Sequence, residues 1–91
     1  MYVILVYDIK SEDGAKIWRK TFNTCKRYLS HIQNSVFEGE ISEAQLMQLK
    51  YELNTIIRKE KDSIIVFKSR NEKWITKEMW GIQEDKTSNF I

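Results

Sequence analysis

A chain of 91 residues, 42% hydrophobic and 31% charged, has the make-up of one ordinary globular domain with a limited core. No apolar run reaches the roughly 18 residues of a membrane span. The first residues lack the basic leader of a secretory signal, and a single cysteine, Cys25, and a single histidine, His31, exclude an internal disulfide and make a structural zinc site a poor fit. A cytoplasmic protein helped by oligomerisation is expected. The net charge of +2 hides a segregation: residues 14–31 carry Lys16, Arg19, Lys20, Lys26 and Arg27 with no acid, which leaves −3 for the rest.

The chain opens on MYVILVYDIK, an unbroken β-branched and aromatic run of strand length that suits a central strand and ends in Asp8, the first charge of the sequence. Polar turn residues 11–14 follow. Trp18, Phe22, Cys25, Leu29 and Ile32 recur at helical spacing and predict a helix from about residue 14 or 15 to 29, with the basic side chains opposite. A short strand near 30–32, a turn at Gln33 and Asn34, and a strand over 35–41 come next. Gly39 inside that strand marks a bulge or a close backbone approach. Ser42 with Gln45 is a capping box, and Leu46, Leu49, Leu53, Ile56 and Ile57 carry the second helix, closed by Arg58, Lys59 and Lys61 at its negative end.

Residues 64–68, IIVFK, are another apolar strand. Alternation over 74–81, WITKEMWG, predicts a further strand, and a polar tail that ends in Phe90 and Ile91 is expected to dock. The organisation is therefore a domain over residues 1–81 and a tail over 82–91 that docks on the dimer or a partner. The order strand, helix, strand, strand, helix, strand is a ferredoxin-like βαββαβ α+β fold with both helices on one sheet face and an extra C-terminal strand. A small chain with one uncovered sheet face is expected to form a homodimer through those faces.

Asp8 has two readings: an acceptor for the following turn, or an oxygen ligand for Mg²⁺, which binds few carboxylates and keeps much of its water. A lone carboxylate is a poor metal site, but a twofold axis near the strand end would supply a second. The basic residues Lys16, Arg19, Lys20, Lys26 and Arg27 are either a solvated face or a track for nucleic-acid phosphates. Tyr7 and Phe37 belong to the core or flank Asp8. Trp18 and Trp80 read as core or dimer interface, Cys25 as an inert buried thiol, and His31 as structural. No Ser/His/Asp set, glycine-rich phosphate loop or HExxH segment is present.

The segments VYDI at 6–9, QNSVFEG at 33–39 and DSIIVFK at 62–68, in this order and chain length, resemble the CRISPR-associated protein 2 family, and WG at 80–81 with NFI at 89–91 is similar to members from type I systems. The resemblance implies a ferredoxin-like homodimer with Asp8 of each protomer at the interface holding Mg²⁺, and endonuclease activity on RNA or duplex DNA. It also implies a place as the central dimer of the spacer-integration complex, bridging dimers of the CRISPR-associated protein 1 integrase along DNA. A protein-binding or toxin-like ferredoxin-fold module without a nucleic-acid partner is the alternative.

Overall fold

The computed structural model describes residues 1–81. Four strands, β1 (Tyr2–Asp8), β2 (Ser30–Gln33), β3 (Val36–Glu40) and β4 (Ser63–Ser69), form one antiparallel sheet in the order β2-β3-β1-β4, with helices α1 (Ala15–Tyr28) and α2 (Glu43–Asn54) in the connections. This is the expected ferredoxin-like α+β arrangement. Strand β1 is central because its aliphatic run tolerates burial on both sides: Val3, Leu5 and Tyr7 point into the core beneath the helices, while Tyr2, Ile4, Val6 and Asp8 point to the opposite face. The core is completed by Phe37, Ile41, Leu49, Leu53, Cys25 and Leu29. Leu29 packs onto Gly39, where a β-carbon would lie 3.2 Å from the leucine side chain. The glycine therefore marks a close approach, the second of its two expected roles.

Helix α1 starts after a tight turn. Asp13 takes a positive φ of 53° and Gly14 is buried so closely under Lys10 that a β-carbon would meet the Lys10 carbonyl oxygen at 2.0 Å. Only glycine fits there. The buried stripe of α1 is rotated from the expected one: Thr21, Thr24 and Cys25 are its buried residues, whereas Trp18 is 43% exposed and Phe22 lies at the margin, stacked on Trp18. A threonine presents a methyl group to the sheet, so it can occupy a core position that a hydropathy count assigns to solvent.

The capping box of α2 forms in both directions, with the Gln45 amide donating to Ser42 Oγ at 3.1 Å and the Ser42 amide donating to Gln45 Oε1 at 3.0 Å. The helix ends at Asn54, a turn short of the expected end, because the Thr55, Ile56 and Ile57 amides fold back onto Glu52 and Leu53. Arg58, Lys59 and Lys61 therefore lie beyond the helix and do not serve its dipole.

The strand expected over 74–81 is not formed. Glu72–Trp74 is a single 3₁₀ turn, and residues 75–80 have no regular secondary structure, since no strand among the described residues offers them a ladder. Within this stretch Lys77 ion-pairs with Glu38 at 2.5 Å on the face away from the helices, and Trp80 is exposed. The tail expected to dock, residues 82–91, lies outside the described residues. Among the described residues no helix is long and apolar enough to cross a membrane.

Candidate functional site

Pairing in the sheet fixes what shares a face with Asp8. Ile4 lies opposite Phe67 and Glu38, Val6 opposite Ile65 and Val36, and Asp8 opposite Ser63, so all of these project from the face without helices. Ile65 and Phe67 are each 55% exposed there. An exposed apolar strip thus runs along β1 and β4 and ends in a solvent-facing carboxylate. The immediate neighbour of that carboxylate is Lys10, whose Nζ lies 3.2 Å from Asp8 Oδ2.

The other end of this face is closed by a polar cluster. The Tyr2 hydroxyl donates to Glu38, which also receives Lys77 Nζ at 2.5 Å. Burial together with the Glu38 hydrogen bond pushes the Tyr2 phenol far above its ordinary value, so it remains a donor.

Behind Asp8 stands a pair, Arg58, expected to close the second helix, and Asp62. The Asp62 carboxylate is inaccessible to solvent and accepts four hydrogen bonds. Three come from Arg58: its amide and Nε at 2.9 Å each on Oδ2, and its Nη2 at 3.0 Å on Oδ1. The fourth is the Lys10 amide on Oδ1 at 3.0 Å. The same guanidinium reaches on to the carbonyl oxygens of Lys10, at 2.8 Å, and Glu12, at 2.5 Å. The Arg58 hydrogen bonds hold the Asp62 carboxyl well below the usual carboxylate range, against the opposing effect of burial. A guanidinium is the one side chain whose rigid fork can serve a carboxylate and two carbonyls at once. No periodicity announces such a pair.

Lys16, Arg19, Lys20 and Lys26 are exposed on α1 and, among the described residues, none has an acidic partner within ion-pair distance; Lys26 instead lies over the Phe22 ring at 5.7 Å. Arg27 differs. Its Nη2 is 2.5 Å from Glu52 Oε1, and Glu52 also accepts from the Tyr28 hydroxyl at 2.6 Å and Gln48 Nε2 at 3.1 Å, which ties α1 to α2 and lowers the Glu52 pKa. Of the five basic residues of α1, four thus have no acidic partner among the described residues and one is committed to structure.

Tyr7 and Phe37 do not flank Asp8. Both are buried on the helix side of the sheet, ring against ring with centroids 6.1 Å apart, while Asp8 projects from the other side. His31 packs edge-on to Phe22, with Nε2 2.8 Å from the Asn34 carbonyl oxygen, a structural role. Burial pushes the Cys25 thiol up to about 12, as suits an inert core cysteine. A concavity lies between α2 and β4, lined by Leu46, Leu49, Leu53, Ile64, Val66 and Lys68. These residues belong to the helix side of the sheet, the opposite side from Asp8.

The donor set defines how a metal could be held. Among the described residues no three His, Cys, Asp or Glu side chains come together. Asp8 by itself offers hard carboxylate oxygens at an accessible strand end, which fits an ion that takes one or two carboxylates and retains water. Its chemistry suits Mg²⁺, with any further protein ligand to come from outside the described residues.

A four-stranded antiparallel sheet with β1 between β3 and β4, both helices on one side, and a lone acid at the end of the central strand on the other define a small ferredoxin-like protein with an open apolar sheet face. The family model for CRISPR associated protein Cas2 matches residues 1–77, and the chain belongs to that family. It is 62% identical, over its whole length and 87% of the relative, to the CRISPR-associated endoribonuclease Cas2 of Fusobacterium nucleatum subsp. nucleatum. It is 41% identical, over the full length of both chains, to the protein of the same name from Dictyoglomus turgidum. Among solved structures, one described as Cas2 superposes with a TM-score of 0.83 at 33% identity, covering 100% of this chain and 98% of the other. Cas2 of Streptococcus pyogenes at pH 6.5 superposes with a TM-score of 0.75 at 30% identity, covering 88% and 100%.

Proposed function

We propose that the chain works as a homodimer joined through its open sheet faces, which presents its two α1 helices to duplex DNA and bridges subunits of the CRISPR-associated protein 1 integrase during spacer integration. Phosphodiester cleavage at a pair of Asp8 carboxylates is a weaker, Mg²⁺-dependent activity of the same dimer, on RNA or duplex DNA. The observation that carries this reading is the position of Asp8 at the end of the exposed strip Ile4, Val6, Ile65 and Phe67. A second copy covering that strip about a twofold near the strand end would bring the second carboxylate to the first. The endoribonuclease activity in the relatives' names agrees with this.

When bound, Mg²⁺ would supply an activated water for attack on phosphorus. The chain's part is to hold the ion through Asp8 and to place the Lys10 ammonium, already beside that carboxylate, where a phosphate oxygen would approach. One carboxylate per protomer is sparse equipment for hydrolysis. Four unpaired cations along α1, by contrast, suit contacts to a phosphate backbone, which position a duplex without reading its sequence. A module without a nucleic-acid partner would leave those charges unused.

The test is spacer acquisition in cells carrying Asp8→Ala, run beside cleavage and duplex binding by the purified variant. Acquisition and binding are expected to persist while Mg²⁺-dependent cleavage is lost. Loss of acquisition by a variant that still dimerises and binds DNA would make the chemistry, and not the bridge, the biological task. Cleavage that survives in Asp8→Ala would remove Asp8 from the mechanism. Charge reversal at Lys16 and Arg19 should weaken duplex binding and flatten its salt dependence, by about one unit of slope per lost phosphate contact. Unchanged salt dependence would refute the basic track.

A further inference from the structure

We infer that Arg58 and Asp62 are positioning residues for Asp8: by clamping the turn that follows β1 they hold the strand end, and the lysine beside it, in the geometry a shared divalent cation requires. The inference rests on the reading of Asp8 as half of a symmetric metal site.

Asp8 is the last residue of β1, where a strand frays unless its neighbours hold it. Two attachments do so, both from the start of β4. The ladder pairs Asp8 with Ser63, and the adjacent Asp62 takes the Lys10 amide, two residues beyond Asp8, on its inaccessible carboxylate. Arg58 then grips the outgoing chain through the Lys10 and Glu12 carbonyls. The turn is closely packed, since a β-carbon on Gly14 would meet the Lys10 oxygen at 2.0 Å, and the Gly14 amide donates to the Ser11 carbonyl at 3.0 Å. Fixing the backbone of Lys10 from both sides also fixes the root of the side chain whose ammonium sits 3.2 Å from Asp8.

Mg²⁺ demands near-octahedral geometry, and a site shared across a twofold doubles any misplacement of the strand end. The clamp therefore acts as outer-sphere support does for metal ligands generally, where losing a partner costs about 10- to 100-fold in metal affinity. Arg58→Lys keeps the positive charge but cannot donate to a carboxylate and two carbonyls in one plane. Asp62→Asn keeps the shape but converts half of the acceptor into a donor, facing either the Arg58 amide and Nε or the Lys10 amide and Nη2.

The experiment measures Mn²⁺ binding by electron paramagnetic resonance to full-length wild type, Arg58→Lys, Asp62→Asn and Asp8→Ala, with dimer mass and circular dichroism as controls on folding. Hydrogen exchange at the Lys10 amide is followed with and without Mn²⁺. Wild type should bind and Asp8→Ala should not. Folded, dimeric clamp variants should bind at least about 10-fold more weakly, with duplex-binding affinity unchanged. Because coupling is reciprocal, Mn²⁺ should slow exchange of the Lys10 amide in wild type itself, a readout that needs no variant to fold. Wild-type Mn²⁺ affinity in folded clamp variants, or a Lys10 amide indifferent to Mn²⁺ in a protein that binds it, would overturn the positioning role. Equal Mn²⁺ binding by wild type and Asp8→Ala, or none by either, would instead bring down the reading of Asp8 and this inference with it.

Discussion

Replacing Tyr7 by Phe tests the division of β1 into a core face and a site face with one oxygen atom. The Tyr7 hydroxyl is buried and, among the described residues, has no hydrogen-bond partner. An unsatisfied buried hydroxyl costs about 1–3 kcal/mol. Deleting it forfeits only the few contacts that one atom makes, at about 0.1–0.2 kcal/mol each, and leaves the ring against Phe37. The net expectation is a gain of about 1 kcal/mol, which for a domain of this size raises Tm by about 4–8 °C. Thermal unfolding followed by circular dichroism, at one fixed protomer concentration because dimerisation couples to stability, measures it. Burial pushes the Tyr7 phenol up to about 12, so it stays neutral through any ordinary assay, and Tyr7→Phe should leave the pH profile of cleavage unchanged as well. A variant less stable than wild type, or one with weakened cleavage at unchanged stability, would refute the placement of Tyr7 as core alone.

Phe67→Glu puts a charge into the middle of the open face at a position 55% exposed in the single chain, so the protomer should stay folded while the dimer dissociates. Light scattering reads the mass, and a dimer that persists would move the interface elsewhere. Acid should act through Asp62. Its folded pKa lies below the ordinary value of about 3.9, so its stabilisation is complete above that value and is lost as the pH falls towards the folded pKa. The difference in urea midpoint between wild type and Asp62→Asn should therefore narrow below about pH 4; an equal difference at pH 7 and pH 3 would refute the assignment.

What could be read from the residues follows from the range of the interactions involved. The β1 run and the Ser42 and Gln45 box are settled by neighbours a few positions apart and form where expected, while the turn expected at Gln33 and Asn34 falls one residue later, at Asn34 and Ser35, because Gln33 pairs with Val36 in the sheet. Helix α1 is legible as a helix, yet apolar spacing misplaces its buried face, since Thr21 and Thr24 count as polar although their methyl groups serve the core. The same spacing carries α2 too far, because Ile56 and Ile57 continue it while their amides turn back onto Leu53. Alternation over 74–81 described side chains that could form a strand; it could not supply a neighbouring strand to pair with. Asp8 was legible as a lone acid after an apolar run. Its support was not, because Arg58 and Asp62 meet Lys10 and Glu12 from about fifty positions away, and only the fold brings them together. The signal that could have found them was the acid placed directly before the apolar run of β4, where a solvent-facing turn has no need of a buried charge.

The commitment of Arg27 to Glu52 shortens what α1 can offer a duplex. The unpaired cations run from Lys16 to Lys26, which at the rise of an α-helix is about 15 Å. One strand of B-form DNA advances about 3.4 Å per nucleotide, so each helix spans the phosphates of four or five nucleotides at most. In the proposed homodimer a twofold would double this footprint, and the spacing of the two helices would then set the length of duplex engaged.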